Sequence, residues 1–342
     1  MDSSNRSLIA LSREQILCLS QNEKLDYFRQ LVVRHPNMEE RLEDIMTLSE
    51  PNTGTDIILM IGPTGVGKSA SIETVQRKYI QKYKSELQSD TSFIPIASIE
   101  APASGEGRFA WRILYRRLGE ALNEPLLERK VLSVAQRQAF KMPGLGNTVA
   151  ALRVSMETAL KYRRTRLLVI DEAAHILTGG ESKLVDHMNA LKSLANVSGV
   201  TLMLVGSYDL YRLPILSGQL ARRMAVVHLG RYVDGDKRDA DCFRRTLLAL
   251  QKALPLDAVP DLEQHSTNLQ RACAGCVGIL KDTLMRALAM SLQKGKWKDD
   301  FLRRALLPDA QLAAILKETL DGERLLREST FPRPRADWLE SA

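Results

Sequence analysis

Aromatic side chains make up only 5% of the 342 residues, and four cysteines, Cys18, Cys242, Cys273 and Cys276, are scattered along the chain. So few aromatics disfavour a surface that works mainly by stacking on bases. So few cysteines exclude a disulfide scaffold at this length. Cys273 and Cys276 stand at C-x-x-C spacing, but no second pair or nearby histidine pair completes a zinc site, and no thioredoxin-like strand precedes them. They read as small residues in a helical stretch, and no metal is assigned to them. No apolar run approaches the roughly 20 residues of a membrane span, and the first residues, MDSSNRSLIALSREQ, lack the apolar stretch of a secretory signal. A cytoplasmic protein without membrane contact is expected. Internal repeats are lacking too.

What remains is an ordinary globular composition, 44% hydrophobic and 26% charged, in a chain long enough for two domains or for one α/β domain with an appendage. Lys and Arg total 48 against 41 Asp and Glu, a formal charge of +7. That excess permits contact with a polyanion without requiring it. With aromatics scarce, contact through a phosphate backbone is the mode that fits.

The most specific stretch is IGPTGVGKSA, Ile61 to Ala70, directly after the apolar run Ile57 to Met60. Gly62, four residues, then Gly67-Lys68-Ser69 fits G-x-x-x-x-G-K-[ST], with a strand expected before it and a helix after it. Glycines let the backbone turn its N–H groups inward around an anion, and the helix that starts near Lys68 adds the positive end of its dipole. Gly62, Pro63, Thr64, Gly65, Val66, Gly67, Lys68, Ser69 and Ala70 are therefore the candidate phosphate cradle. Lys68 is expected on the β- and γ-phosphates and the Ser69 hydroxyl on Mg²⁺. ATP and Mg²⁺ are the expected cofactors.

Hydrophobic spacing predicts helices through the first 50 residues, broken at His35-Pro36, then strands over Asp56 to Ile61, within TSFIPIASIEAP, over Arg166 to Ile170, Val200 to Gly206 and Met224 to Gly230. A helix running to about Leu87 follows the glycine-rich loop, and TVAALRVSMETALKYRRT is another. After Gly230 only helices are expected: Asp239 to Ala253, Asp261 to Cys273, Gly278 to Gln293 and Asp309 to Leu320. Pro125 to Pro143 is hard to place and is read as a helix and then a loop around MPGLGN. The alternation predicts a three-layer α/β fold of the P-loop kind, a parallel sheet between helices, with a C-terminal helical lid domain. The expected divisions are a helical segment over 1–50, the α/β nucleotide-binding domain over 51–232, the helical domain over 233–322 and a flexible tail over 323–342.

In LLVIDE, Asp171 and Glu172 end a buried strand, where carboxylates are costly unless they serve a cation or an exposed edge. Beside a phosphate loop they have work: Asp171 to hold Mg²⁺ through water, Glu172 to polarise the attacking water. His175 falls one residue late for a D-E-A-H helicase motif, no second helicase-like core follows, and it receives no catalytic role. Ser207, closing TLMLVGS, either bonds the water or γ-phosphate or forms a turn. Arg222 and Arg223 precede a strand and offer an arginine finger to a neighbouring subunit, against the alternative of a solvated helix end. Lys281, near a helix start, can fold back toward the phosphates.

With these parts in this order, about Glu39 to Leu292 resembles an AAA+ ATPase. HPNMEERLEDIMTLSEP, IDEAAHIL and QLARR narrow the likeness to the bacterial transposition regulators of the TnsC/TniB family. The resemblance implies Asp171 and Glu172 as the Walker B pair, Ser207 as sensor 1, Arg222 or Arg223 as the finger, and Lys281 where sensor 2 usually has arginine. It further implies ATP hydrolysis, homo-oligomeric rings or helical filaments on double-stranded DNA, and a link from a target-selection protein to transposase subunits. Arg108 in GEGRF is the candidate DNA contact, and FPRPRADWLESA a candidate transposase-binding tail. Two other classes remain open: a protein-remodelling or secretion-associated AAA+ ATPase with no DNA role, and a slow nucleotide-counting switch.

Overall fold

The computed structural model describes residues 11–103, 105, 107–125, 149–178, 181–215 and 218–329. Helices α1 (Arg13–Leu17), α2 (Gln21–Gln30) and α3 (Pro36–Leu48) precede strand β1 (Ile57–Ile61). Next come α4 (Lys68–Lys82), α5 (Lys84–Ser89), β2 (Ile96–Glu100), α6 (Trp111–Ala121), α7 (Val149–Tyr162) and β3 (Leu167–Asp171). They are followed by α8 (Glu181–Ser198), β4 (Thr201–Gly206), the short α9 (Arg212–Ile215) and α10 (Gly218–Ala221), and β5 (Met224–His228). The rest is helical: α11 (Lys237–Ala253), α12 (Ser266–Ala272), α13 (Val277–Lys294), α14 (Asp299–Ala305) and α15 (Asp309–Ser329).

The five strands form one parallel sheet in the order β2-β3-β4-β1-β5. β1 lies inside it, with Ile61 in register with Gly206 on one side and His228 on the other. All five of its side chains are buried, as a central strand covered on both faces requires. Each of these large apolar side chains contributes about 1.5–3 kcal/mol by leaving water. At the edge, β2 alternates between buried Ala97 and Ile99 and more open neighbours. The chain leaves β1 for the far edge, returns through β3 and β4, and then passes β1 to β5. Such a reversal opens a crevice at the carboxyl ends of the strands.

By contacts the chain separates into two compact units. The sheet and its flanking helices make one, residues 40–62 and 68–228. The other holds the described residues up to 39, the loop 63–67 and everything from 229 onward. Its core is built from Phe28, Phe243, Leu247, Leu280, Leu284 and Leu288, all fully buried. Among the described residues no helix is long and apolar enough to cross a membrane.

Three sequence expectations change. The helix after the glycine loop stops at Lys82, because Tyr83 leaves helical geometry (φ −103°, ψ 25°) before α5 resumes. The last helix runs past Leu320 to Ser329, held in part by Arg231, whose guanidinium bonds the buried Glu323 carboxylate at 2.9 and 3.2 Å. Cys273 and Cys276 lie in the turn between α12 and α13, where Ala274 and Gly275 take positive φ, not inside a helix. Most of the stretch 125–143 and the tail beyond 329 lie outside the described residues.

Candidate functional site

β1 delivers the chain to Gly62 at its buried carboxyl end, and α4 begins at Lys68. Between them Gly65 and Gly67 adopt φ of +75° and +110°, a region closed to most side chains. The Lys68 ammonium donates to the Gly62 carbonyl at 2.9 Å, so its charge is folded back over the start of the loop. Val66 N–H reaches Pro63 O at 3.4 Å, long for a hydrogen bond. Thr64 and Ser69 are exposed, while Pro63 and Val66 are buried. α4 is anchored beneath by Ile72, Thr74, Val75 and Tyr79, with the Tyr79 hydroxyl donating to Ser49 Oγ at 2.6 Å.

β3 ends on Asp171, two strands from β1 with β4 between them. Its half-buried carboxylate accepts the Glu172 N–H at 2.8 Å. Burial pushes its pKa above the ordinary carboxylate value, the charges of Glu172 and Glu100 push the same way, and the Glu172 N–H and Lys68 ammonium oppose them. That response to Lys68 ties Asp171 to the cradle. Glu172 is exposed and sits at φ 50°, ψ 35°, left-handed backbone that a residue with a Cβ adopts at a cost. Its carbonyl accepts from His175 N at 3.1 Å, starting the 3-10 turn Ala173–Leu177. His175 is held within that turn, half-buried.

These residues fit ATP with Mg²⁺. The loop gathers backbone N–H groups and a lysine, and Ser69 with Asp171 offers the hard oxygen donors that magnesium takes alongside phosphate and water. Among the described residues no cluster of three or more His, Cys, Asp or Glu could hold a metal alone. The Cys273 thiol, buried in its turn, is pushed up to about 12 and is a poor metal ligand.

Ser207 follows β4 on the same rim and donates to Asp209 Oδ2 at 3.3 Å, a bond that opens the 3-10 turn Tyr208–Tyr211. Arg222 and Arg223 stand at the other rim, before β5. The Arg223 guanidinium pairs with Asp56 at 2.7 Å, and the Arg223 carbonyl accepts from Asp56 N and Ile57 N at the amino end of β1. Within the sheet they lie at the amino ends of the strands, a strand's length, roughly 15 Å, from Ile61 at the carboxyl end of β1. Both are exposed, and Arg222 has no side-chain partner among the described residues. Lys281 lies in α13 and donates to the Arg29 and Leu31 carbonyls at 2.6 and 2.7 Å. Arg108 is exposed after the turn at Gly107.

Sequence reasoning missed Glu100. It ends β2 in register with Asp171, its charge is one of those that raise the Asp171 pKa, and its carbonyl accepts from Arg117 at 2.6 Å. The signal was available: an acid closing an apolar run, as Asp171 does.

Residues 52–213 match a family model described as an AAA domain. No curated protein matches the chain. Among solved structures, the ORC1 protein of Aeropyrum pernix in complex with DNA is similar at 17% identity and a TM-score of 0.53, over 88% of this chain and 70% of that one. The ORC2 protein of the same organism, in ADPNP and ADP complexes, is similar at 14% identity and a TM-score of 0.51, over 79% of this chain. The match spans 65% of ORC2's own length. At such identity the likeness is one of fold. The fold is α/β of the P-loop kind, a parallel sheet flanked by helices and followed in the chain by a helical region, and within it residues 52–213 are similar to an AAA domain.

Proposed function

We propose that this chain is an ATPase that assembles in an ATP-dependent manner on double-stranded DNA and couples target-site choice to a transposase. The observation that carries the ATPase reading is the cradle of Gly62 to Ser69 on the same sheet rim as Asp171 and Glu172, with Asp171 electrostatically linked to Lys68. Bound Mg·ATP supplies the phosphoanhydride to be cleaved and the charge that polarises it. The loop N–H groups and Lys68 bind and orient the phosphates. Asp171 and Ser69 hold the cation, the exposed Glu172 carboxylate takes the proton of the attacking water, and Ser207 orients that water.

Arg222 supports the oligomeric half of the reading. It is exposed, at the amino ends of the strands and without a side-chain partner among the described residues, so it suits the loop of an adjoining copy. Arg223, committed to Asp56, is the weaker finger. The DNA half rests on the +7 charge, on the DNA complex of the similar ORC1 protein and on the TnsC/TniB-like stretches HPNMEERLEDIMTLSEP, IDEAAHIL and QLARR. Arg108 is the proposed backbone contact, and the segment after 329 the proposed transposase contact.

Sedimentation with ATP and Mg²⁺, with and without duplex DNA and alongside ATP turnover, tests this. Duplex is expected to drive assembly and raise turnover. Assembly and turnover indifferent to DNA would favour the protein-remodelling reading, and no ATP binding would remove the whole proposal.

A further inference from the structure

The loop does more than face the cradle. The Gly65 carbonyl accepts the N–H of Gly278 at 2.7 Å and of Ile279 at 3.3 Å. These belong to the first turn of α13, whose N-cap residue Cys276 makes no side-chain cap bond. A loop carbonyl therefore satisfies N–H groups that a serine or aspartate usually takes. The joint is tight enough to demand glycine on both sides. A Cβ on Gly278 would sit 2.4 Å from the Gly65 carbonyl oxygen, and one on Gly65 would sit 2.5 Å from Ile279 Cγ1.

One turn further along α13, Lys281 clamps the Arg29 and Leu31 carbonyls. These close α2, where helix carbonyls lack partners and the dipole is negative. Three more bonds fix the same amino-terminal layer: Arg13 donates to the Leu254 and Leu256 carbonyls at 2.6 and 2.5 Å, and Gln21 to the Leu292 carbonyl at 3.0 Å.

The Gly65 carbonyl and the Val66 N–H belong to one peptide plane. The Val66 donor is poorly satisfied by Pro63, and a loop that cradles an anion must aim such donors at it. Turning that plane toward a phosphate also turns the carbonyl that caps α13. We infer that the amino-terminal layer, α1 and α2, reports whether the loop holds nucleotide, with the Gly65–Gly278 joint as the input and Lys281 as the positioning residue that passes it to α2. This rests on the nucleotide reading of the loop. It gives Lys281 a task separate from phosphate contact.

Hydrogen exchange of residues 21–31 in the full chain tests it, with and without a non-hydrolysable ATP analogue and Mg²⁺, while calorimetry measures binding of the same analogue. In the wild type, saturating analogue should change exchange in this stretch by about tenfold. Lys281→Met should speed that exchange about tenfold without nucleotide and abolish the response, while affinity stays within about twofold. Lys281→Arg should retain the response, and Gly278→Ala, which forces the joint apart, should lose it. Binding without any change in residues 21–31 overturns the inference, as does a Lys281→Met protein that responds like the wild type. So does one that loses affinity and keeps the response, which returns Lys281 to the phosphates. Absence of binding in the wild type overturns the loop reading itself.

Discussion

Asp171 and Glu172 are adjacent yet stand in opposite environments, and each responds to a different test. Burial raises the Asp171 pKa, so the folded state holds its proton more tightly than the unfolded chain does. Stability from that difference is present below the ordinary value of 3.8 and is lost as pH rises through the carboxylate range. Asp171→Asn should then stabilise the nucleotide-free protein at neutral pH, by less than about 1 kcal/mol because the group is partly solvated, while weakening Mg²⁺-dependent nucleotide binding. Thermal melts with and without Mg·ATP read both effects, and a destabilised variant would contradict the first. Glu172 is exposed on strained backbone, so Glu172→Gln should keep nucleotide affinity and slow turnover by about 10²-fold or more. Lys68→Ala should lose binding itself, seen with a fluorescent nucleotide.

Among elements, the junction between α2 and α3 holds the sharpest test of stability. His35 is buried there, its Nδ1 2.9 Å from the Tyr232 hydroxyl, and burial lowers its pKa to about 4. It is neutral when folded, so stability is full above 6.5 and falls as the unfolded chain takes up a proton between 6.5 and about 4. The loss should approach roughly 3 kcal/mol by pH 4. His35→Gln should flatten that dependence in urea titrations at each pH, and an unchanged slope would reject it. The break before Pro36 is plain in the sequence, as are the strands, because β1, β3 and β4 are unbroken apolar runs closed by glycine or acid. The halt at Tyr83 is not, since its sequence keeps helical spacing through Lys82 and Tyr83. Nor is the pairing of Arg231 with Glu323, which only long-range packing decides. At the candidate site the same contrast holds: local patterns reveal Gly62 to Ser69 and Asp171–Glu172, whereas the partners of Arg223 and Lys281 come from distant segments.

For the whole molecule, the position of Arg222 makes one chain chemically incomplete under the proposed function. Mixing Arg222→Ala protein, which keeps Glu172, with Glu172→Gln protein, which keeps Arg222, should restore part of the turnover that each lacks. Recovery should peak at intermediate ratios, and none at any ratio would place the arginine outside the reaction. The division into units also differs from the order of the sequence. The amino-terminal residues up to 39 and the loop 63–67 group with the carboxyl-terminal helices, so the chain returns to that unit before it has finished the sheet.

β1 has neighbours on both sides and side chains sealed from water along its full length. A strand so enclosed is a poor spring. Under the proposed function, whatever gives way when phosphates come and go would yield downstream of Ile61, and rigidity at the centre of the sheet would confine that movement to the few glycine-hinged peptides that follow it.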